Sequence, residues 1–185
     1  MAIIAAAMPM PLMIAAIVAT GSNTTHVPVR QPTRIKAPIV SVAIPDRADA
    51  KEVASRYSRA EMRCLARAVY HEANFEPVEG QIAVAEVIIA RSQDKRWKGD
   101  LCHTIRMRNQ FSFVKGGRTL PIPDATIAQR MMDLVRDVAA GRIASRAKGA
   151  LYYHADYVSP SWRHNLAQKI RIKTHIFYTD PVALT

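Results

Sequence analysis

The sequence predicts an α+β fold, mostly helical with a small antiparallel sheet, and three observations carry that prediction. Between Ser58 and Gly141, three segments place apolar residues at helical spacing behind recognisable capping residues. Two later segments, running 150–154 and 170–178, are aromatic and β-branched, the composition of short strands. All twelve aromatic residues lie at or after Tyr57. Aromatic side chains supply much of a core's buried area, so the packed unit is expected to begin near residue 51.

The elements follow in order. Ser58 with Glu61 three residues later is a capping-box pair, and Met62, Leu65, Ala66, Val69 and Tyr70 repeat at helical spacing, predicting a helix over 58–73. Pro77 ends that pattern and opens a second helix, whose body 81–90 is apolar on nearly every side, with Glu86 as its one internal charge. A short helix is expected over 100–107. A longer one spans 124–140, capped by Asp124 and stopped by Gly141, with Ile127, Met131, Leu134, Val135 and Val138 on one face. The segments 150–154 and 170–178 are expected to pair antiparallel across the turn-rich stretch 156–161.

The first 50 residues differ in texture. Residues 1–20 carry no charged side chain, and the apolar run Leu12 to Ala19 leads into Ala19-Thr20-Gly21, so 1–21 reads as a signal peptide or a membrane anchor. Residues 22–50, with Pro28, Pro32, Pro38 and Pro45, read as a linker, and 51–185 as the folded domain. An exported protein is expected, in the periplasm or cell envelope, anchored to the inner membrane if 1–20 is retained as its membrane contact. In that oxidising setting Cys64 and Cys102 could form a disulfide; two buried free thiols are the alternative.

At 49% hydrophobic and 22% charged, the 185-residue chain is neither a disordered polyelectrolyte nor a multi-span membrane protein. Its formal charge is +11, and residues 1–50 hold four basic against two acidic side chains, which leaves +9 on the domain. Such a field favours polyanionic partners. The basic residues are dispersed without a nucleic-acid recognition signature, so nucleic acid is not the expected partner.

No Gly-rich phosphate loop, Gly-x-Ser-x-Gly elbow or paired Cys-x-x-Cys motif occurs. Carboxylates, histidines and aromatics remain. Glu72 is the leading candidate for chemistry, because the negative end of a helix dipole and apolar surroundings both raise a carboxyl pKa toward that of a useful general acid. His71-Glu72 invites a zinc reading, yet the two-histidine helix motif needs a second His where Phe75 stands, and His154, His164 and His175 are scattered. Gln110-Phe111-Ser112-Phe113 before Gly116-Gly117 reads either as a loop lining a site or as a hairpin arm with both Phe rings in the core. Tyr152, Tyr153 and Trp162 fit a sugar-binding groove or a core.

Taken together, Ala66-Arg67-Ala68-Val69-Tyr70-His71-Glu72-Ala73, Glu76-Pro77-x-Glu79-Gly80-Gln81-x-Ala83-Val84-Ala85-x-Val87-Ile88 and Gln110-Phe111-Ser112-Phe113 resemble the SleB/CwlJ-type cell-wall hydrolases. Ala150-Leu151-Tyr152-Tyr153-His154, Ser161-Trp162 and His175-Ile176-Phe177-Tyr178 follow in that family's order, so the likeness covers about 60–178. The resemblance implies a lysozyme-like fold and cleavage of peptidoglycan between N-acetylmuramic acid and N-acetylglucosamine, chiefly as a lytic transglycosylase. It implies no cofactor and no metal, a peptidoglycan glycan strand as partner, and a monomer.

Glu72 matches the family's catalytic glutamate. Gln110, Ser112 and Tyr153 stand where the resemblance puts sugar-orienting groups, with Phe111, Tyr152, Gln81 and Trp162 as further substrate-binding candidates; Glu76, Glu79 and Gln81 could instead hold the loop after the first helix. The chain departs from the family pattern at Asn74-Phe75, at Ala90, and at Lys173, where Gly is common. A hydrolytic muramidase or endolysin, with Asp156 helping to position water, is the nearest alternative. A zinc-dependent amidase and a non-enzymatic basic binding module are the more distant ones.

Overall fold

A computed structural model describes residues 56–97, 99–108 and 110–181; the expected export segment 1–21 and linker 22–50 lie outside the described residues. Helix α1 spans Arg59–Ala73 behind Ser58, and its capping box is complete. Glu61 N donates to Ser58 Oγ at 3.2 Å while Ser58 N donates to Glu61 Oε2 at 2.9 Å. The other Glu61 oxygen accepts from Leu101 N at 3.3 Å, so one side chain both caps α1 and docks the next short helix against it.

Helix α2, Val78–Gln93, starts at Pro77 and buries Ile82, Ala83, Val84, Ala85, Val87 and Ile88. It is the central helix that its nearly uniform apolarity predicts. Glu86 escapes an unpaired burial by accepting from the backbone N–H of Arg146 at 3.1 Å and of Ala147 at 2.7 Å, which ties down the segment after the last helix. Helix α3, Leu101–Arg106, is capped by Asp100, and helix α4, Ala125–Ala139, by Asp124. Cys64 in α1 and Cys102 in α3 form a disulfide. No helix among the described residues is long and apolar enough to cross a membrane.

Strands β1, Val114–Lys115, and β2, Arg118–Thr119, form a small hairpin. Its two-residue turn is Gly116-Gly117 at φ 56° and 72°, conformations that need the missing Cβ. The main sheet has β3, Tyr152–Ala155, beside β5, His175–Thr179, with β4, Ala167–Ile172, on the other edge of β5. Tyr153 faces Phe177 in the β3–β5 register.

This corrects the expectation of a single strand over 170–178: the run breaks into a hairpin at Lys173-Thr174. Lys173 takes a left-handed φ of 46°, which no Gly or Asn in the sequence announced. The opposite sheet faces serve different clusters. Tyr153 and Phe177 join the main core of helices, whereas Tyr152, Ile176 and Tyr178 pack around Trp162 from the 3₁₀ turn Ser161–Asn165.

Candidate active site

Leu65, Ala68 and Val69 define the inward stripe of α1, and Glu72 continues it one turn further on, at i+3 from Val69 and i+7 from Leu65. A carboxyl is thereby delivered to the junction of α1 and the sheet. Glu72 Oε2 accepts a hydrogen bond from the Tyr153 hydroxyl at 3.1 Å. Its Oε1 is enclosed and has no partner. Burial pushes the Glu72 pKa up to about 8 from an ordinary 4.5, against the smaller downward pulls of the Tyr153 hydrogen bond and the Arg91 charge. The carboxyl is therefore mostly protonated at neutral pH while remaining able to ionise.

Arg91, in the last turn of α2, is fully enclosed at 0% exposure. Its Nε donates to the Leu151 carbonyl at 2.7 Å and its Nη1 to Gln110 Oε1 at 3.2 Å, while Nη2 is enclosed without a partner. The guanidinium carbon lies 5.4 Å from the Trp97 ring centroid and 6.0 Å from that of Tyr152. Burial pulls its pKa down to about 10.

Arg91 and Glu72 address the same strand segment: Arg91 bonds Leu151 and Glu72 bonds Tyr153, two residues along. Among the described residues no carboxylate forms an ion pair with Arg91. Glu72 in its ionised form is the carboxylate whose charge acts on it. Sequence reasoning did not single out Arg91, because a basic residue in a helix's last turn ordinarily reads as solvent-facing. Its place directly after the Val/Ile-rich run of α2 was the available signal.

The expected sugar-contacting residues separate into two groups. Gln110 is buried on Arg91, Phe111 lies in the main core against Phe113, and Tyr153 is buried on Glu72. Gln81 is buried with its Nε2 donating to the Glu76 carbonyl at 3.1 Å, and Trp162 is buried against His154 and Tyr178. All five side chains are buried, and of them Gln110 and Tyr153 brace Arg91 and Glu72 directly. Ser112 is exposed. Tyr152 is half-buried, donating to Asp180 Oδ1 at 3.1 Å and accepting from Arg96 Nη1 at 2.9 Å. Ser112 and Tyr152 thus keep surface open to solvent.

The surroundings of Glu72 are fixed on three sides. His71 stacks on Phe113 with ring centroids 4.9 Å apart and donates from Nε2 to the Leu120 carbonyl at 3.1 Å, which joins the helix end to the β1–β2 hairpin. Tyr153 joins it to the sheet. The loop after α1 is held by Glu76, whose carboxylate accepts from both Thr174 Oγ1 and Thr174 N. Lys173 Nζ donates to the Phe75 carbonyl.

His154 and His175 do not meet as ligands. His154 Nδ1 donates to the Ala155 carbonyl at 2.8 Å, so its Nε2 accepts from the Tyr178 hydroxyl at 2.9 Å. Among the described residues no group of three His, Cys, Asp or Glu side chains is placed to hold a metal ion. Asp156 is engaged by Arg171.

Comparison with known proteins adds an independent line. Residues 75–178 match the model of a family described as Cell Wall Hydrolase. That span contains Arg91, Gln110 and Tyr153 and begins three residues after Glu72. The spore cortex-lytic enzyme of Halalkalibacterium halodurans is 30% identical over 130 residues, 69% of this chain and 37% of that enzyme. The Bacillus subtilis spore cortex-lytic enzyme is 31% identical over 122 residues, 65% of this chain and 38% of that enzyme. The chain thus spans little more than a third of the length of these curated relatives.

Among solved structures, the catalytic domain of the germination-specific lytic transglycosylase SleB from Bacillus anthracis superposes with a TM-score of 0.55 at 29% identity, covering 66% of this chain and 97% of that domain. The catalytic domain of Bacillus cereus SleB gives a TM-score of 0.55 at 27% identity, over 66% of this chain and 92% of that domain.

Proposed function

The chain belongs to the cell wall hydrolase family and has its lysozyme-like α+β fold, and from that premise we propose that it cleaves peptidoglycan glycan strands as a lytic transglycosylase with Glu72 as its single general acid and base. The observation that carries this reading is Glu72 itself, a carboxyl kept protonated by burial, with one oxygen on Tyr153 and the other unpartnered.

Glu72 gives its proton to the oxygen linking C1 of N-acetylmuramic acid to O4 of N-acetylglucosamine. The C1–O4 bond breaks, the glucosamine leaves as an alcohol, and positive charge develops at C1. The Glu72 carboxylate, now favoured by the Tyr153 hydrogen bond and the Arg91 charge, takes the proton of the muramic C6 hydroxyl. O6 then closes on C1, giving a 1,6-anhydro end and returning Glu72 to its protonated state. Rotation about χ3 exchanges the two carboxyl oxygens at low cost, so either can carry the proton. No second carboxylate is needed, and Asp156, the partner a water-using mechanism would recruit, is occupied by Arg171.

In this reading Ser112 and Tyr152 contact the sugars, the brace of Gln110 and Tyr153 holds Arg91 and Glu72 in place, and Gln81, Phe111 and Trp162 serve the surrounding packing. The protein acts outside the cytoplasm as a monomer, delivered by residues 1–21 across the inner membrane and spaced by 22–50 from the catalytic domain 51–185. Digestion of purified peptidoglycan with the full chain, followed by mass spectrometry, tests the reaction class. Anhydro-muropeptides support it; reducing ends mean a muramidase, and intact glycan chains reject glycan cleavage altogether.

A further inference from the structure

Phe75 stands three residues after Glu72 with its ring 88% exposed, and Val78 beside it is 56% exposed. Two of the five large apolar side chains exposed among the described residues thus lie within six residues after the acid, Phe75 on the loop that follows it and Val78 at the start of α2. An exposed apolar side chain on a floppy loop would mean little, but this loop is clamped from both directions.

On the helix side, Asn74 N donates to the Tyr70 carbonyl at 3.1 Å and Glu76 N to the Ala73 carbonyl at 3.0 Å, so the chain turns tightly and keeps Phe75 within about one helical turn of Glu72. On the sheet side, Lys173 Nζ donates to the Phe75 carbonyl and Thr174 holds Glu76. Lys173 is the one non-glycine residue of positive φ among the described residues. Left-handed backbone persists away from glycine where the surrounding structure over-determines it, and such positions cluster at functional sites. The clamp therefore fixes the backbone of Phe75 while leaving its ring in water.

We propose that Phe75 is a sugar-binding platform beside Glu72, its ring face receiving the apolar face of a glycan residue near the scissile bond. This rests on the reading of the protein as a peptidoglycan-cleaving enzyme and adds the residue that seats the strand. A rigid aromatic with free faces loses little conformational freedom when a sugar stacks on it, and neighbouring polar groups, Asn74 and Lys173 among them, can bond the sugar hydroxyls.

Two measurements on the full chain test it. In a Glu72→Gln background, pelleting with insoluble peptidoglycan reads binding without chemistry; in the otherwise wild-type enzyme, muropeptide release reads half-saturation. Phe75→Ala should weaken pelleting and raise the half-saturating peptidoglycan by about threefold to tenfold, more than it changes the rate at saturation, whereas Phe75→Trp should retain wild-type behaviour. Because the ring is exposed, the unfolding midpoint should not move.

Unchanged pelleting and half-saturation in Phe75→Ala would overturn the proposal, including the case in which only binding to anionic phospholipid vesicles is lost. A wild-type protein that pelleted in a Phe75-dependent way yet released no muropeptides would instead overturn the enzymatic reading and leave the platform standing.

Discussion

The Tyr153 hydroxyl donates to Glu72 Oε2 at 3.1 Å across 81 positions of sequence, and among the described residues it is the one hydrogen-bond partner of a carboxyl whose other oxygen is enclosed and unpartnered. The bond favours the charged form of Glu72 while burial favours the neutral form, and burial wins. A catalytic carboxyl that must first give and then take a proton needs this kind of near balance.

Tyr153→Phe keeps the buried ring and deletes the bond. The pKa of Glu72 should rise further, so the alkaline limb of kcat/KM, expected near pH 8 for wild type, should move to higher pH. The cost in stability should be about 1–2 kcal/mol, since a buried oxygen loses its partner. A pH–rate profile and a urea titration check both. An unmoved limb would mean that Tyr153 does not act on Glu72.

The same balance makes stability pH-dependent, with a definite sign. The folded carboxyl has a pKa near 8 against about 4.5 in the unfolded chain, so between those values the folded state holds more protons. Its contribution is fully present below pH 4.5 and is lost as pH rises toward 8. Wild type should lose about 1 kcal/mol per pH unit in that window relative to Glu72→Gln. Parallel urea-derived stabilities for the two proteins from pH 5 to pH 8 would contradict the burial of Glu72.

Arg91→Met should destabilise the domain by about 3 kcal/mol or more, because the Leu151 carbonyl and Gln110 Oε1 lose a charged donor. Chemical denaturation measures this directly. A loss under about 0.5 kcal/mol would place Arg91 at the surface rather than in the brace.

Gly80 sits in the first turn of α2, where Ala would ordinarily stabilise a helix by up to about 1 kcal/mol. Here an added Cβ would lie 2.9 Å from the Glu76 Cβ, near the root of that side chain, where little give is available. Gly80→Ala should therefore lower the melting temperature and loosen the contact of Glu76 with Thr174. A raised melting temperature would show that the loop yields freely.

The disulfide between Cys64 and Cys102 closes a loop of sequence separation 38, for which the chain-entropy model gives about 4 kcal/mol. Reductant, or a Cys64→Ser/Cys102→Ser variant, should lower the unfolding midpoint substantially while leaving muropeptide release at 25 °C close to wild type. Loss of activity without loss of stability would tie the bridge to the site instead.

The helices were legible because their signals are local. Ser58 and Glu61 announce α1, Pro77 announces α2, and Asp124 announces α4, each through groups within a few residues. Glu72 was legible from its position at a helix end and from the family pattern around it. The site's inner brace was not. Whether Gln110 faces a sugar or Arg91 depends on contacts 19 residues apart, and polar residues beside aromatics read the same in a groove as in a core. The β4–β5 hairpin was hidden for a different reason: Lys173 turns the chain in a conformation stabilised by its surroundings, with no local sequence mark.

The central claim is that one carboxyl performs both proton transfers. Full-length wild type and Glu72→Gln, each shown to unfold at a similar midpoint, should be compared on purified peptidoglycan with products identified by mass spectrometry. The account predicts anhydro-muropeptides from wild type and a loss of about a thousandfold or more in the variant, since both halves of the reaction use the same group. A folded Glu72→Gln protein that still released anhydro-muropeptides at a tenth of the wild-type rate would contradict it.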